Sequence, residues 1–238
     1  MLDWLMSSID PSRAHEVGFH VSWHGRAMVL AWGVLVPIGV IAARYFKILP
    51  RQAWPAEVDN RVWWNTHRAC QYTATVLTLG AIALVRAGDQ EVGDSLHYLF
   101  GYAVLTFVAM QVIGGLLRGT KGGPTDGSLA GDHYDMTPRR IAFEYVHKVA
   151  GYTAILLAVT AICSGMWLAN APKWMWIGLA LWWAFLAACV VLLQRRGMCV
   201  DTYQALWGPD PAHPGNQRPH PIGFQVRRLP GPDDPGSA

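Results

Sequence analysis

Charge is what this chain has little of. Asp, Glu, Lys and Arg together make up 15% of its 238 residues, against 52% hydrophobic. That is charge-poor beside a typical soluble domain. The net charge of +3 is modest, and the basic residues gather beside apolar runs. Such placement suits membrane orientation and anionic lipid, and it argues against a nucleic-acid partner. Cysteine is also scarce. Cys70, Cys163 and Cys189 lie in apolar runs and Cys199 just beyond the last one. No C-x-x-C or C-x-x-C-H occurs, so neither a zinc site nor a covalently attached c-type haem is expected. Met1 to Val21 lack the basic start, apolar middle and small-residue cleavage site of a signal peptide, so the first apolar run is expected to stay as an anchor. No inverted repeat or interrupted helix pair of the transporter kind is seen.

What is present is a series of long apolar runs. Ser22-Trp23-His24-Gly25-Arg26 opens the first, Ala27 through Ala43. Others cover about Trp64 to Val85, Leu96 to Leu117, Phe143 to Leu168 and Trp174 to Leu193. Each approaches the roughly 20 residues that a helix rising about 1.5 Å per residue needs to cross about 30 Å of hydrocarbon. The expected fold is an all-α integral membrane protein with five spans. The expected division is a short outer segment over 1–21, a membrane domain over 22–196 and a tail over 197–238. The tail is Pro- and Gly-rich, and from Pro209 to Ala238 this composition predicts a mobile cytoplasmic extension.

The loops set a direction. Arg44, Lys47, Arg51 and Arg61 follow the first run, Arg118, Lys121, Arg139 and Arg140 the third, and Arg195 and Arg196 the fifth. The alternate loops are poor in Lys and Arg; one carries Asp89, Glu91 and Asp94 after Arg86, the other only Lys173. The positive-inside rule then predicts an outside N-terminus and a cytoplasmic C-terminus, with Trp63, Trp64, Trp174 and Trp176 as interfacial anchors.

Four histidines stand at the starts of apolar runs: His24, His67, His97 and His147. An ionisable residue inside a span is a functional site by default. With the predicted orientation, His24 and His97 fall toward the outer face and His67 and His147 toward the cytoplasm. Facing helices of a bundle that each offer one imidazole at one depth suit a metal-centred disc. Two imidazoles fill both axial positions of a haem, which favours electron transfer over oxygen binding. The expectation is two non-covalent, bis-histidine haems, with irons roughly 20 Å apart by helix rise. Gly25, Gly101 and Gly151 stand beside or one turn after three of these histidines, where a missing Cβ admits a flat ligand or simply a packed helix.

His24-Gly25 opening a run that ends Ile41-Ala42-Ala43-Arg44-Tyr45, His67 with Gln71, His97 with Gly101, and Tyr145-x-His147-x3-Gly151-Tyr152 together resemble the cytochrome b561 family. The likeness covers about Val21 to Arg196 and is closest to the branch fused to DOMON domains, in a compact bacterial form without that domain. The resemblance implies a four-helix haem-binding bundle plus one additional transmembrane helix, two b haems and electron transfer across the membrane, with a bacterial inner membrane as the setting. It also implies donors such as ascorbate and acceptors such as monodehydroascorbate or ferric chelates. A periplasmic redox protein and a homodimer are further partners left open.

Haem propionates need cationic partners when partly buried. Arg68 and Lys148 adjoin one histidine pair, and Arg139 and Arg140 precede the fourth run; these four also satisfy the positive-inside rule, while Arg26 is the corresponding outer candidate. Glu144 is a candidate acceptor or proton-relay group that Lys148 would also neutralise. His15, His20, His133, His213 and His220 fall in termini or loops, where solvent exposure is expected, with His20 one turn before His24. Two rival classes remain: a quinone-linked haem subunit of a soluble dehydrogenase, and a haem-free transporter using its histidines as a proton path.

Overall fold

The computed structural model of the chain describes residues 1–88, 95–123 and 129–231. Asp89, Glu91 and Asp94 lie outside the described residues. The elements are α1 (Leu2–Met6), α2 (Phe19–Tyr45), α3 (Val62–Arg86), α4 (Leu96–Leu116), α5 (Pro138–Leu168), α6 (Lys173–Arg195) and α7 (Thr202–Trp207). The helices α2 to α6 are the five long and apolar enough to cross a membrane, so the architecture is an all-helical integral membrane bundle. Among the described residues only isolated bridges, such as Ser8 with Pro172, depart from helix and loop.

Local chemistry sets the helix ends. Asn60 accepts the Val62 amide at 2.9 Å. Thr137 caps α5, its hydroxyl accepting the Arg140 amide at 3.3 Å, and Pro138 at the first helical position needs no donor there. Asp201 accepts the Tyr203 amide at 3.3 Å and caps α7.

The chain forms two compact units assembled from portions of the same helices. One comprises Met1–Gly39, Arg68–Val108 and Thr153–Val191. In it the N-terminal arm is pinned by Asn170, which accepts the Asp10 amide at 3.0 Å and donates to the carbonyls of Asp10 and Arg13. Here α2 relaxes into a π-helical stretch, Val29–Leu35. Pro37 causes a further vacancy in the ladder, because it has no N–H to give the Gly33 carbonyl. The indole N–H of Trp182 on α6 takes that place at 2.9 Å. Gly33 also lets Leu179 and Trp183 approach to 3.6 and 3.8 Å of where a Cβ would stand. Trp32 and Thr78, both buried, close a second bond at 3.0 Å.

The other unit comprises Val40–His67, Ala109–Tyr152 and Leu192–Ala238. The mobile extension expected from Pro209 onward is not what residues 209–231 form. Tyr203 and Ile222 are buried against Met136, Ile141 and Trp207. Arg44 donates to the Phe224 carbonyl and Gln194 to the Gln225 carbonyl, and Arg228 pairs with Asp201 at 3.3 Å. A few apolar side chains and many backbone acceptors hold the segment, neither of which Pro and Gly content registers. Lys47, read from sequence as a loop cation, is buried and donates to the Val200 carbonyl at 2.8 Å; burial and the Lys148 charge bring its pKa down to about 8.

His133 corrects another expectation, since it is 3% exposed rather than solvated. Its Nδ1 accepts the Trp207 indole N–H at 3.3 Å, and its ring packs edge-on to Tyr203. Burial, then the Arg140 charge, lowers its pKa to about 3.

Two outcomes follow from these contacts. Trp182→Phe should destabilise by about 1–3 kcal/mol by orphaning the Gly33 carbonyl; in a Pro37→Ala background, which restores a backbone donor, the loss should shrink, as a double-mutant cycle of detergent melts would register. Unfolded His133 takes up a proton below about 6.5, whereas folded His133 stays neutral until about pH 3. Its contribution to stability is therefore full above that unfolded value and lost as pH falls toward the folded one. His133→Gln, which keeps an acceptor for Trp207, should flatten this acid-side slope in melting curves.

Candidate functional site

The four span histidines form two pairs, one inside each unit. His24 on α2 and His97 on α4 have ring centres 6.1 Å apart at 83°. His67 on α3 and His147 on α5 have ring centres 6.2 Å apart at 72°. An imidazole nitrogen binds a metal at about 2.0 Å, so two rings flanking one ion place their centres roughly 6.3 Å apart. The observed spacings fit that requirement. Among the described residues no group of three or more His, Cys, Asp or Glu is placed to hold a metal. Two-imidazole sets suit an ion whose other ligands come from a macrocycle, and so fit a haem.

Backbone carbonyls orient the first pair. His24 Nδ1 lies 3.1 Å from the Ala81 carbonyl and His97 Nδ1 lies 2.9 Å from the Ala161 carbonyl. A carbonyl oxygen only accepts, so Nδ1 carries the proton and Nε2 is left with its lone pair as the metal-binding atom. Gly165 makes room for this arrangement: a Cβ there would stand 2.8 Å from Cε1 and 2.9 Å from Nδ1 of His97. Sequence reading missed Gly165. It follows His147 by 18 residues, which is five turns at about 3.6 residues each and hence the same helix face. The carbonyls of Ala81 and Ala161 leave no mark in the side-chain sequence.

The second pair is held differently. Gln111 Nε2 donates to the His147 carbonyl at 3.0 Å, and the Phe143 ring lies 5.1 Å from the His147 ring at 33°. His147 Nδ1 is buried with no hydrogen-bond partner.

The glycines divide. A Cβ at Gly25 or Gly101 would meet open space, while one at Gly151 would lie 3.6 Å from Gln111 Nε2. Among the charged candidates, Arg26 is exposed over the Trp23 ring and Arg68 is exposed over the Tyr72 ring. Arg139 donates twice to the Leu117 carbonyl, at the end of α4. Arg140 and Lys148 both engage Glu144, at 3.1 and 2.8 Å, and Lys148 also donates to the Ile222 carbonyl at 2.7 Å. Glu144 is 5% exposed, so its charge is balanced by two cations from one turn before and one turn after on α5. His20 packs its ring against Gly88, at 3.0 Å from the position of a Cβ there.

No protein-family model matches the chain, and no solved structure matches it. Known proteins do resemble it. A cytochrome b561 and DOMON domain-containing protein of Arabidopsis thaliana is 29% identical over 177 residues, covering 72% of this chain and 37% of that protein. A cytochrome b561, DM13 and DOMON domain-containing protein of the same plant is 28% identical over 144 residues, 60% of this chain and 14% of its own length. Ferric-chelate reductase 1 of Homo sapiens is 30% identical over 145 residues, 60% of this chain and 22% of its own length. The chain thus spans well under half the length of these relatives.

Replacing Gly165 by Ala should push His97 out of place and weaken haem binding at the His24–His97 pair by about tenfold or more, the scale seen when the support of a metal ligand is disturbed. Gly178→Ala, where a Cβ meets open space, should be neutral. Titration of haemin into the apo-protein, followed at the Soret band, compares the two.

Proposed function

Starting from the relationship of this chain to the cytochrome b561 family, we propose that it is a transmembrane electron-transfer protein with two b haems. The observation that carries this reading is the pairing of four span histidines into two sets with ring centres 6.1 and 6.2 Å apart. His24 and His97 would hold one haem and His67 and His147 the other, without covalent attachment. Each haem, when bound, supplies a reversible one-electron ferric–ferrous couple.

The chain's own residues supply the rest. The carbonyls of Ala81 and Ala161 hold the first imidazole pair with Nε2 directed to the metal. Apolar helices keep water away and so tune the potential. Arg26 and Arg68 are proposed as propionate partners beside the two pairs, and Arg139, Arg140 and Lys148 are engaged by protein acceptors. Gly101 and Gly151 are proposed to let a ring edge approach the backbone. Domain roles follow the sequence: 1–21 outside, 22–196 as the electron-transfer domain, 197–238 cytoplasmic. A bacterial inner membrane suits the charge pattern of the loops.

The relatives include proteins named ferric-chelate reductases. Ferric chelates are accordingly the proposed acceptors, with ascorbate as the donor on the opposite face.

Purified wild type should carry two low-spin haems per chain. His24→Ala or His97→Ala should each leave one, and His67→Ala or His147→Ala should each leave the other, as reduced-minus-oxidised spectra with haem quantified per chain would register. Loss of both haems from every single variant in a folded preparation would sink the pairing, and a wild type without a Soret band would sink the electron-transfer reading.

A further inference from the structure

The last turn of α6 closes on Gly197, whose backbone lies in the left-handed region at φ 67°. The Gly197 amide donates to the Gln194 carbonyl at 2.9 Å and the Met198 amide to the Leu193 carbonyl at 3.1 Å. This pattern satisfies the final carbonyls of the helix from the backbone, so they make no demand on Arg195 and Arg196, both exposed. A third cation arrives from some 30 positions downstream. Val200 and Arg227 pair as a parallel bridge, with the Arg227 amide on the Cys199 carbonyl and the Asp201 amide on the Arg227 carbonyl, each at 2.9 Å. The Arg227 guanidinium then lies against Gly197, its Cζ 2.6 Å from where a Cβ would stand, and the residue is exposed.

Like charges brought together repel unless an anion joins them. Among the described residues none of the three arginines takes part in a salt bridge. Asp201, which the bridge sets alongside Arg227, is committed to Arg228 at 3.3 Å and to the start of α7. The positive-inside rule accounts for cations at this end of α6. It does not call for a distant arginine to be folded back onto the helix end.

The surroundings indicate where the anion comes from. Leu192, one turn before Arg196, is 54% exposed on a membrane-crossing helix, so hydrocarbon begins there. Phe224 is 72% exposed. Its carbonyl accepts from Arg44 at the end of α2, and that of Gln225 accepts from Gln194 at the end of α6, which sets Phe224 beside the last turns of two spans. Apolar surface next to clustered guanidinium groups matches a phospholipid, in which the phosphate follows directly on the acyl chains.

We propose that Arg195, Arg196 and Arg227 form a binding site for the head group of an anionic phospholipid, in the leaflet where α6 ends. Guanidinium takes phosphate oxygens through paired N–H donors. The lipid's net negative charge answers the excess of cations, which a zwitterionic lipid carrying its own ammonium does not. The acyl chains run along the Leu192 face of α6 and past the Phe224 ring. The site needs no haem and stands apart from the electron-transfer reading.

The test uses the full chain in phosphatidylcholine nanodiscs holding a trace of phosphatidylglycerol with a diazirine on its acyl chain near the head group. Irradiation should label residues 192–197 or 222–228, and unlabelled phosphatidylglycerol should suppress the labelling where further phosphatidylcholine does not. Arg195→Gln with Arg227→Gln should cut the yield at these residues by about tenfold or more. Arg51→Gln with Arg61→Gln, which removes the same charge from exposed residues between α2 and α3, should keep the wild-type yield. A fall of equal size in this control would overturn the site in favour of diffuse surface charge. Displacement by phosphatidylcholine as effective as by phosphatidylglycerol would overturn it in favour of ordinary boundary lipid; this arm is read on the wild type and does not depend on how the variants fold. Suppression by inorganic phosphate as strong as that by phosphatidylglycerol would overturn the lipid and leave a site for a soluble anion.

Discussion

Imidazole has two nitrogens, and a metal ligand needs one of them held while the other is left bare. In the unit containing His24 and His97 this constraint is met by two helix carbonyls, those of Ala81 and Ala161. Each already sits in a helix, yet each has a second lone pair to offer. Reaching it requires close approach of one helix to another, and the residues at the contact are small. Ala81 and Ala161 are buried, and at Gly165 even a methyl would collide with the His97 ring. Membrane helices pack through small residues in general; here the same smallness sets the tautomer of an imidazole.

The second unit solves a different problem, the burial of charge. Glu144 is nearly inaccessible and lies three residues before His147. An unpaired carboxylate there would be costly. Arg140 and Lys148, each four residues away on the same helix, bracket it at 3.1 and 2.8 Å. Lys148 in turn reaches the Ile222 carbonyl, so the packed C-terminal segment is tied to the helix that carries His147. Arg44 extends the same logic, donating to Tyr152, Gln194 and the Phe224 carbonyl. These cations also satisfy the positive-inside pattern. One set of residues therefore serves orientation and tertiary structure together.

How far this was legible in the sequence follows from which interactions leave a pattern. Spans are legible because length and apolarity decide them: the run from Leu96 matches α4 to within one residue, while α2 and α5 start before their apolar runs, α5 because Thr137 caps it ahead of Pro138. The histidine pairs were legible because depth follows from helix direction. His133 was not, because its burial comes from Tyr203 and Trp207, some 70 positions downstream. The fate of residues 197–231 was hidden for the same reason. Their hold consists mainly of side-chain donors meeting distant backbone carbonyls, and a carbonyl is present at every residue, so nothing distinguishes it in a sequence.

The two histidine pairs, similar in spacing, differ in what stands behind the rings. A carbonyl accepting from Nδ1 makes the imidazole a stronger electron donor to whatever metal it binds. That support is present for His24 and His97 and lacking at His147 Nδ1. The residues Arg140, Lys148 and Glu144 add one net positive charge near His147, and positive charge favours the reduced, less positive state of a metal centre. Both differences act in the same sense. With haems held as proposed, the stronger donors would favour the oxidised metal at the His24–His97 pair, and the weaker donor with nearby cations would favour the reduced metal at the His67–His147 pair. On the proposed reading, two identical sites would give an electron no preferred resting place, and the backbone and one ion-paired cluster would make the sites unequal without changing a single ligand type.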